Sequence, residues 1–220
     1  MTKIHFYLVR HGQTRINRLA RLQGTTDSAL TVRGIMDARQ LGRRLANVRF
    51  SAVFASHLKR TQETADNIMQ ANNYPDPPHF YLSDLREFDF GIYEEVRKRS
   101  FIPDALRALG LFSILRTALG DKHANGLVDL FGRMGNNVQL ESSKELSLRM
   151  AHSLESIAHT WKNGDHNILI VTHGLILSSF IESLGGSVPL FLIKNTNVVH
   201  VDYEAGKFII KDADFLGKKK

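Results

Sequence analysis

Hydrophobic residues recur along this chain with two different periods. Short unbroken apolar runs at residues 6–9, 52–55, 80–82 and 168–171 read as buried strands, because a strand covered on both faces needs no polar alternation. Between them the spacing changes to three and four. Thr31 is placed to cap a helix carrying Ile35, Ala38, Leu41 and Leu45. A second helix is expected from Ser56 to about Met69. A third, capped by Ser142 or Ser143, carries Leu146, Met150, Leu154, Ile157 and Trp161, and Asn163-Gly164-Asp165 ends it. A fourth carries Ile176, Phe180 and Leu184 and stops at Gly185-Gly186. Residues 72–78, rich in Asn, Asp and Pro, form a loop. Residues 198–203 and 208–210, joined by Glu204-Ala205-Gly206, predict a terminal hairpin.

Strand and helix therefore alternate, the pattern of a mostly parallel sheet with helices on both faces, a three-layer α/β/α architecture. From about residue 92 to residue 140 the pattern changes. Short apolar stretches around 101–102, 106–119 and 127–134 are punctuated by glycine, with basic residues spread among them. That segment is too short for a core of its own, so it reads as a helical cap inserted into a single domain spanning residues 1–220.

Composition narrows the chemistry. An apolar fraction of 43% supports a packed core. The absence of cysteine removes disulfides, thiolate nucleophiles and thiolate-bound metals. The first residues lack a secretory apolar region and no stretch is long enough to span a bilayer, so a cytoplasmic protein without a membrane partner is expected. A formal net charge of +7 favours anionic partners. The closing Lys218-Lys219-Lys220 reads as a solvated tail that contributes to this charge. Nucleic acid is not expected, since no helix-turn-helix, RNP-like or zinc signature accompanies the charge.

Two strands end alike. Val9-Arg10-His11-Gly12 and Val171-Thr172-His173-Gly174 each place a histidine, then a glycine, at the carboxyl end of a strand, where ligand sites of open α/β sheets lie. If the strands are neighbours, both imidazoles face one crevice. A fixed guanidinium beside a fixed imidazole suits a phosphate.

Arg10-His11-Gly12 with Thr14 and Asn17 resembles the signature loop of the histidine phosphatase superfamily, the phosphoglycerate mutase-like proteins. Gln23-Gly24 followed by Asp27-Ser28, Leu30-Thr31 and Gly34 resembles that family's next block. Ser56-x-Leu58-x-Arg60 with Thr64-Ala65, Leu85-Arg86-Glu87 with Asp89-Phe90-Gly91, and Thr172-His173-Gly174 resemble three more. The resemblance implies the phosphoglycerate mutase-like fold and a role for each matched residue. His11 is the nucleophile that forms a phosphohistidine. Arg10 and Arg60 clamp the phosphoryl oxygens. His173 donates to them. Glu87 protonates the leaving group and then deprotonates water, for which its acidity must lie near neutrality. Asn17, Gln23, the backbone N–H of Gly24, and His57 are the candidate substrate contacts. These motifs hold no further His or Asp in ligand-like company, so neither metal nor other cofactor is expected.

Two departures separate this chain from the mutases. The Arg-His-Tyr-Gly-like segment that follows their acidic motif is replaced here by Tyr93-Glu94-Glu95-Val96-Arg97-Lys98-Arg99, with Glu95 where many relatives have glycine. The chain is also shorter than those mutases. Both favour a phosphatase that takes a small phosphorylated ester and releases inorganic phosphate. A cofactor-dependent phosphoglycerate mutase is the alternative, and a non-catalytic phospho-ligand module the second, although such a module has no need of a proton donor. Natural substrate and oligomeric state are not legible.

Overall fold

The first strand is longer than its apolar run. β1 (Lys3–Arg10) alternates, with Ile4, Phe6 and Leu8 on one side of the sheet and His5, Tyr7 and Val9 on the other. It pairs in parallel with β4 (His166–Thr172) and antiparallel with β5 (Val198–Glu204). The computed structural model describes residues 3–100, 103, 106–107, 123–134, 140–188 and 193–214. With β2 (Ala52–Ser56), β3 (His79–Leu82) and β6 (Lys207–Ala213) these strands make one six-stranded sheet in the order β3-β2-β4-β1-β5-β6. β1 to β4 run parallel, and β5 and β6 add an antiparallel edge, so the expected hairpin extends a parallel sheet into a mixed one.

Each sheet face buries its own apolar layer. On one, α2 (Val32–Arg44) and α3 (Lys59–Met69) bring Ala38, Leu41, Ala65 and Ile68 against Val9, Val53 and Val171. On the other, α5 (Ser143–Thr160) and α6 (Gly174–Ser183) bring Leu146, Met150, Leu154, Leu175 and Phe180 against Phe6, Leu8 and Ile170. Thr31 caps α2 through Gly34 N. Ser142, not Ser143, caps α5 in a reciprocal box with Glu145. The second helix begins at Lys59 rather than Ser56. Ser56 ends β2 as a fully buried residue whose hydroxyl takes the Leu58 N–H. A four-residue helix, α1 (Arg15–Arg18), follows Thr14, whose hydroxyl caps it through Asn17 N.

Of the expected cap, α4 (His123–Met134) is described, while the stretch at 108–119 lies outside the described residues. Ala124, Val128, Phe131 and Met134 join the same apolar layer as α5 and α6. The helix starts four residues before the expected Leu127 because Glu182, buried at the end of α6, accepts from the N–H groups of Ala124 (2.8 Å) and Asn125 (2.9 Å). Among the described residues no helix is long and apolar enough to cross a membrane.

Candidate active site

Strand register decides what meets at the carboxyl edge. Arg10 pairs with Thr172 across the parallel β1–β4 ladder, and His11 N donates to Thr172 O at 2.9 Å. The next residue of each strand is therefore a histidine beside a histidine. The His11 and His173 rings lie 5.2 Å apart, both buried.

Hydrogen bonding fixes both tautomers. His11 Nδ1 lies 2.8 Å from Gly12 O. A carbonyl only accepts, so Nδ1 carries the hydrogen and Nε2 keeps a lone pair. His173 is the reverse. Arg60 donates to its Nδ1 from Nε (3.2 Å) and Nη2 (3.0 Å), which leaves the hydrogen on Nε2 to donate to Ser56 Oγ at 2.8 Å. Burial first, and then the charge of Arg60, push both imidazoles well below their ordinary 6.5.

That depression links the site to stability. Below pH 6.5 the unfolded chain binds two protons that the folded site refuses, so stability falls with pH. Two such groups amount to a loss of about 2–3 kcal/mol between about pH 7.5 and about pH 5.5. Urea unfolding at the two pH values should show this loss, and His173→Gln should roughly halve the pH dependence.

The two guanidinium groups are held differently. Arg60, fully buried at the start of α3, gives Nη1 to Thr26 O (2.9 Å) and Asp27 Oδ1 (3.2 Å), and Nη2 to Gly24 O (2.6 Å) as well as His173. Its donors are all committed within the protein, so an anion has to compete for them. Arg10 gives Nη1 to Ile193 O at 2.6 Å, while its Nε is buried with no hydrogen-bond partner among the described residues. The guanidinium lies flat against Gly174, where an added Cβ would come within 2.9 Å of Cζ and Nε. Only glycine at the start of α6 leaves it that room. A buried, unfilled donor beside His11 is where an anionic oxygen fits best.

Glu87 sits at the N-terminus of α6. Its Oε1 accepts from Phe88 N (3.0 Å) and Ile176 N (3.0 Å), and Oε2 from Leu175 N (2.9 Å). The segment before it is tied down twice. Thr172 Oγ1 donates to Leu85 O at 2.8 Å, and Arg149 on α5 donates to Asp84 O and Arg86 O while paired with Glu141.

The expected substrate contacts divide. Gln23 is spent inside the protein: its Oε1 accepts from Thr14 Oγ1 and Asn17 Nδ2, and its Nε2 donates to Thr26 O and Ser28 Oγ. The Gly24 N–H goes to Glu94 at 3.1 Å. In this arrangement neither faces an open phosphate position. Asn17 remains beside the His11 loop, linked through Asn195, whose Nδ2 donates to His11 O (2.8 Å) and Asn17 Oδ1 (3.4 Å). His57 is exposed at the turn before α3.

Two residues with a hold on the site escaped the sequence reading. Asn195 is one, since it comes from the loop before β5, remote in the chain. Glu94 is the other. Its carboxylate accepts from the N–H groups of Gly24, Thr25, Thr26 and Phe90 at 3.0–3.3 Å, fastening the loop whose carbonyls hold Arg60. A Cβ on Gly24 would fall 2.3 Å from Glu94 Oε1. Glu94→Ala frees four N–H groups and the loop with them, so kcat is expected to fall by about a hundredfold through misplacement of Arg60, measured as phosphate release at saturating ester. The adjoining Glu95 has φ +59°, the left-handed backbone that glycine adopts freely, which accounts for the glycine of many relatives there. From Glu95 the chain pairs with residues 20–22 and reaches Lys98, an exposed residue whose ammonium pKa is lowered by the desolvation of its surroundings and then by the charge of Arg10.

The model of the histidine phosphatase superfamily (branch 1) matches residues 6–214. A probable phosphoglycerate mutase GpmB of Erwinia tasmaniensis is 30% identical over 213 residues, covering 94% of this chain and 88% of the relative. The crystal structure of a phosphoglycerate mutase from Bacillus anthracis superposes with a TM-score of 0.86 at 26% identity, covering 96% of this chain and 92% of that one. Bacillus stearothermophilus YhfR superposes with 0.72, also at 26% identity, covering 94% and 95%.

Proposed function

Because the chain belongs to the histidine phosphatase superfamily, we propose that it is a phosphomonoester hydrolase working through a phosphohistidine. What supports the reading most is the state of His11: buried, neutral, with Nδ1–H committed to Gly12 O and the Nε2 lone pair unspent.

In the first step Nε2 attacks phosphorus and the bond from phosphorus to the ester oxygen breaks. Arg10, with its unfilled Nε–H, and Arg60 neutralise the phosphoryl oxygens, and Arg60 changes partners from the 24–27 loop to do so. His173 gives its Nε2–H to the same oxygens in exchange for Ser56. Glu87 gives the departing alkoxide a proton. In the second step water attacks phosphorus, the P–N bond breaks, and Glu87 takes the proton of the water. Oε1 of Glu87 already accepts two hydrogen bonds and Oε2 one. With about four acceptor sites on a carboxylate, the open one is on Oε2, and that is where the travelling proton sits. The basic company of Arg10 and Lys98 favours an ester whose organic part carries a second negative charge. The cap expected over residues 92–140 would select that part.

The names of the relatives favour a second reading, a phosphoglycerate mutase. A panel of phosphomonoesters, followed by free phosphate, separates the two when run beside an assay for exchange between 2- and 3-phosphoglycerate with the bisphosphorylated primer. Net release of phosphate without exchange is the expected result. Exchange without net release assigns a mutase, and tight phosphate binding with neither assigns a binding module.

A further inference from the structure

We propose that His5, His200 and Asp202, at the opposite end of β1 from the phosphate site, form a binding site for a divalent transition-metal ion of the zinc class. The antiparallel β1–β5 register places His5 opposite Asp202 and Tyr7 opposite His200. His200 and Asp202 are two apart on β5, so the three side chains share one face of the sheet. Their ligand atoms, His5 Nδ1, His200 Nε2 and a carboxylate oxygen of Asp202, all lie within 4.8 Å of one another.

Three observations point to an ion rather than to a finished ion pair. Both imidazoles address the same oxygen, Asp202 Oδ1, at 2.7 Å from His5 Nδ1 and 3.2 Å from His200 Nε2. Lys3 takes the other oxygen, Oδ2, at 2.8 Å, and Lys211 stands 3.9 Å from it, so Oδ1 is left to the imidazoles. The His200 Nε2 is a buried nitrogen without a hydrogen-bond partner among the described residues, although the ring that carries it is held in plane by stacking on Tyr7 (4.7 Å, 12°). Tetrahedral zinc with bonds of about 2.0–2.1 Å keeps its ligand atoms about 3.3 Å apart. The separation of His200 from Oδ1 already meets this, and His5, at 2.7 Å, meets it by retreating about 0.6 Å.

Two imidazole nitrogens and one carboxylate oxygen suit zinc, nickel or copper rather than magnesium or calcium. Water completes the fourth position, because the imidazoles are about a quarter exposed, at 26% and 21%, while Asp202 is at 2%. His5 is six residues from His11 along β1, about 20 Å at strand rise, so the ion takes no part at the phosphate site. It staples β1 to β5.

Titration calorimetry of the EDTA-stripped full chain with zinc chloride tests this. The expected result is one equivalent bound, with the melting temperature raised by zinc and not by magnesium. His5→Ala and His200→Ala are each expected to weaken binding by more than about tenfold and to leave phosphate release unchanged. Lys3→Ala, which removes a neighbouring cation, is expected to tighten it. If alanine at position 5 lowers the metal-free melting temperature, His5→Gln keeps a hydrogen bond to Asp202 without an imidazole and is used instead. Zinc bound by the variants as tightly as by the parent, or no one-equivalent event in the parent, overturns the proposal.

Discussion

His11→Ala is expected to lower the release of phosphate from an aryl phosphate by at least about a thousandfold while the chain remains folded. The loss follows from what else in the crevice could attack phosphorus. The His173 lone pair on Nδ1 is covered by two Arg60 donors, and its other nitrogen holds a hydrogen. Arginine and Glu87, whose carboxyl group is bonded on both oxygens, offer nothing comparable. Removing His11 thus removes the proposed nucleophile rather than weakening it. The two guanidinium groups remain, so the variant should still bind phosphate as tightly as the parent or more tightly, with one bulky ring gone. That separation, chemistry lost and binding kept, is the signature sought. Rapid quenching with a labelled ester supplies the second measurement. The parent should trap an acid-labile, alkali-stable phosphoryl adduct and the variant none. A variant that hydrolyses the ester at the parental rate would show that another group attacks phosphorus.

The meeting of the two histidines was legible because the physics behind it is local. An apolar run ending in His-Gly marks a strand's carboxyl end, and two such runs become neighbours in a parallel sheet. The β1–β4 pairing, Arg10 against Thr172, supplies the adjacency that the pattern left as a condition. The cap at Thr31 was legible for the same reason, a hydroxyl three residues before the N–H it accepts, and the choice between Ser142 and Ser143 fell to Ser142 on the same spacing. Other features were set by partners distant in the chain. Ser56 looked like a helix start until the burial of β2 and the demand of His173 Nε2 claimed its hydroxyl. Gln23 and Gly24 looked like phosphate contacts, yet Thr14, Asn17 and Glu94 consume their polar groups. Glu94 and Asn195 gave no periodic or motif-like signal, since each serves backbone groups of a remote loop. The cluster of His5, His200 and Asp202 depends on antiparallel register between strands nearly two hundred residues apart, which no local pattern encodes.

Glu87→Gln is expected to lower kcat by about a hundredfold to ten-thousandfold on an alkyl phosphate, and by much less on an aryl phosphate whose leaving group departs without a proton. The contrast between esters matters because Glu87 has two duties. One is structural: three backbone N–H groups, two of them at the start of α6, end on its carboxylate. In glutamine the oxygen can replace Oε1 and keep two of those bonds, but the NH2 then faces the N–H of Leu175, donor against donor, at a cost of about 1–3 kcal/mol. That cost lowers the melting temperature and affects every substrate alike. The other, which we propose, is the proton on Oε2, which glutamine cannot carry in either direction. It is felt only where the leaving oxygen is basic, and again when water is the acceptor. A structural role alone predicts equal losses on both esters, so the ratio of the two kcat values isolates the proton. If dephosphorylation becomes limiting in the variant, the phosphohistidine should accumulate during turnover of the aryl ester and be visible after an alkaline quench at steady state. Equal losses on the two esters, with no accumulation, would leave Glu87 as the cap of α6 and nothing more.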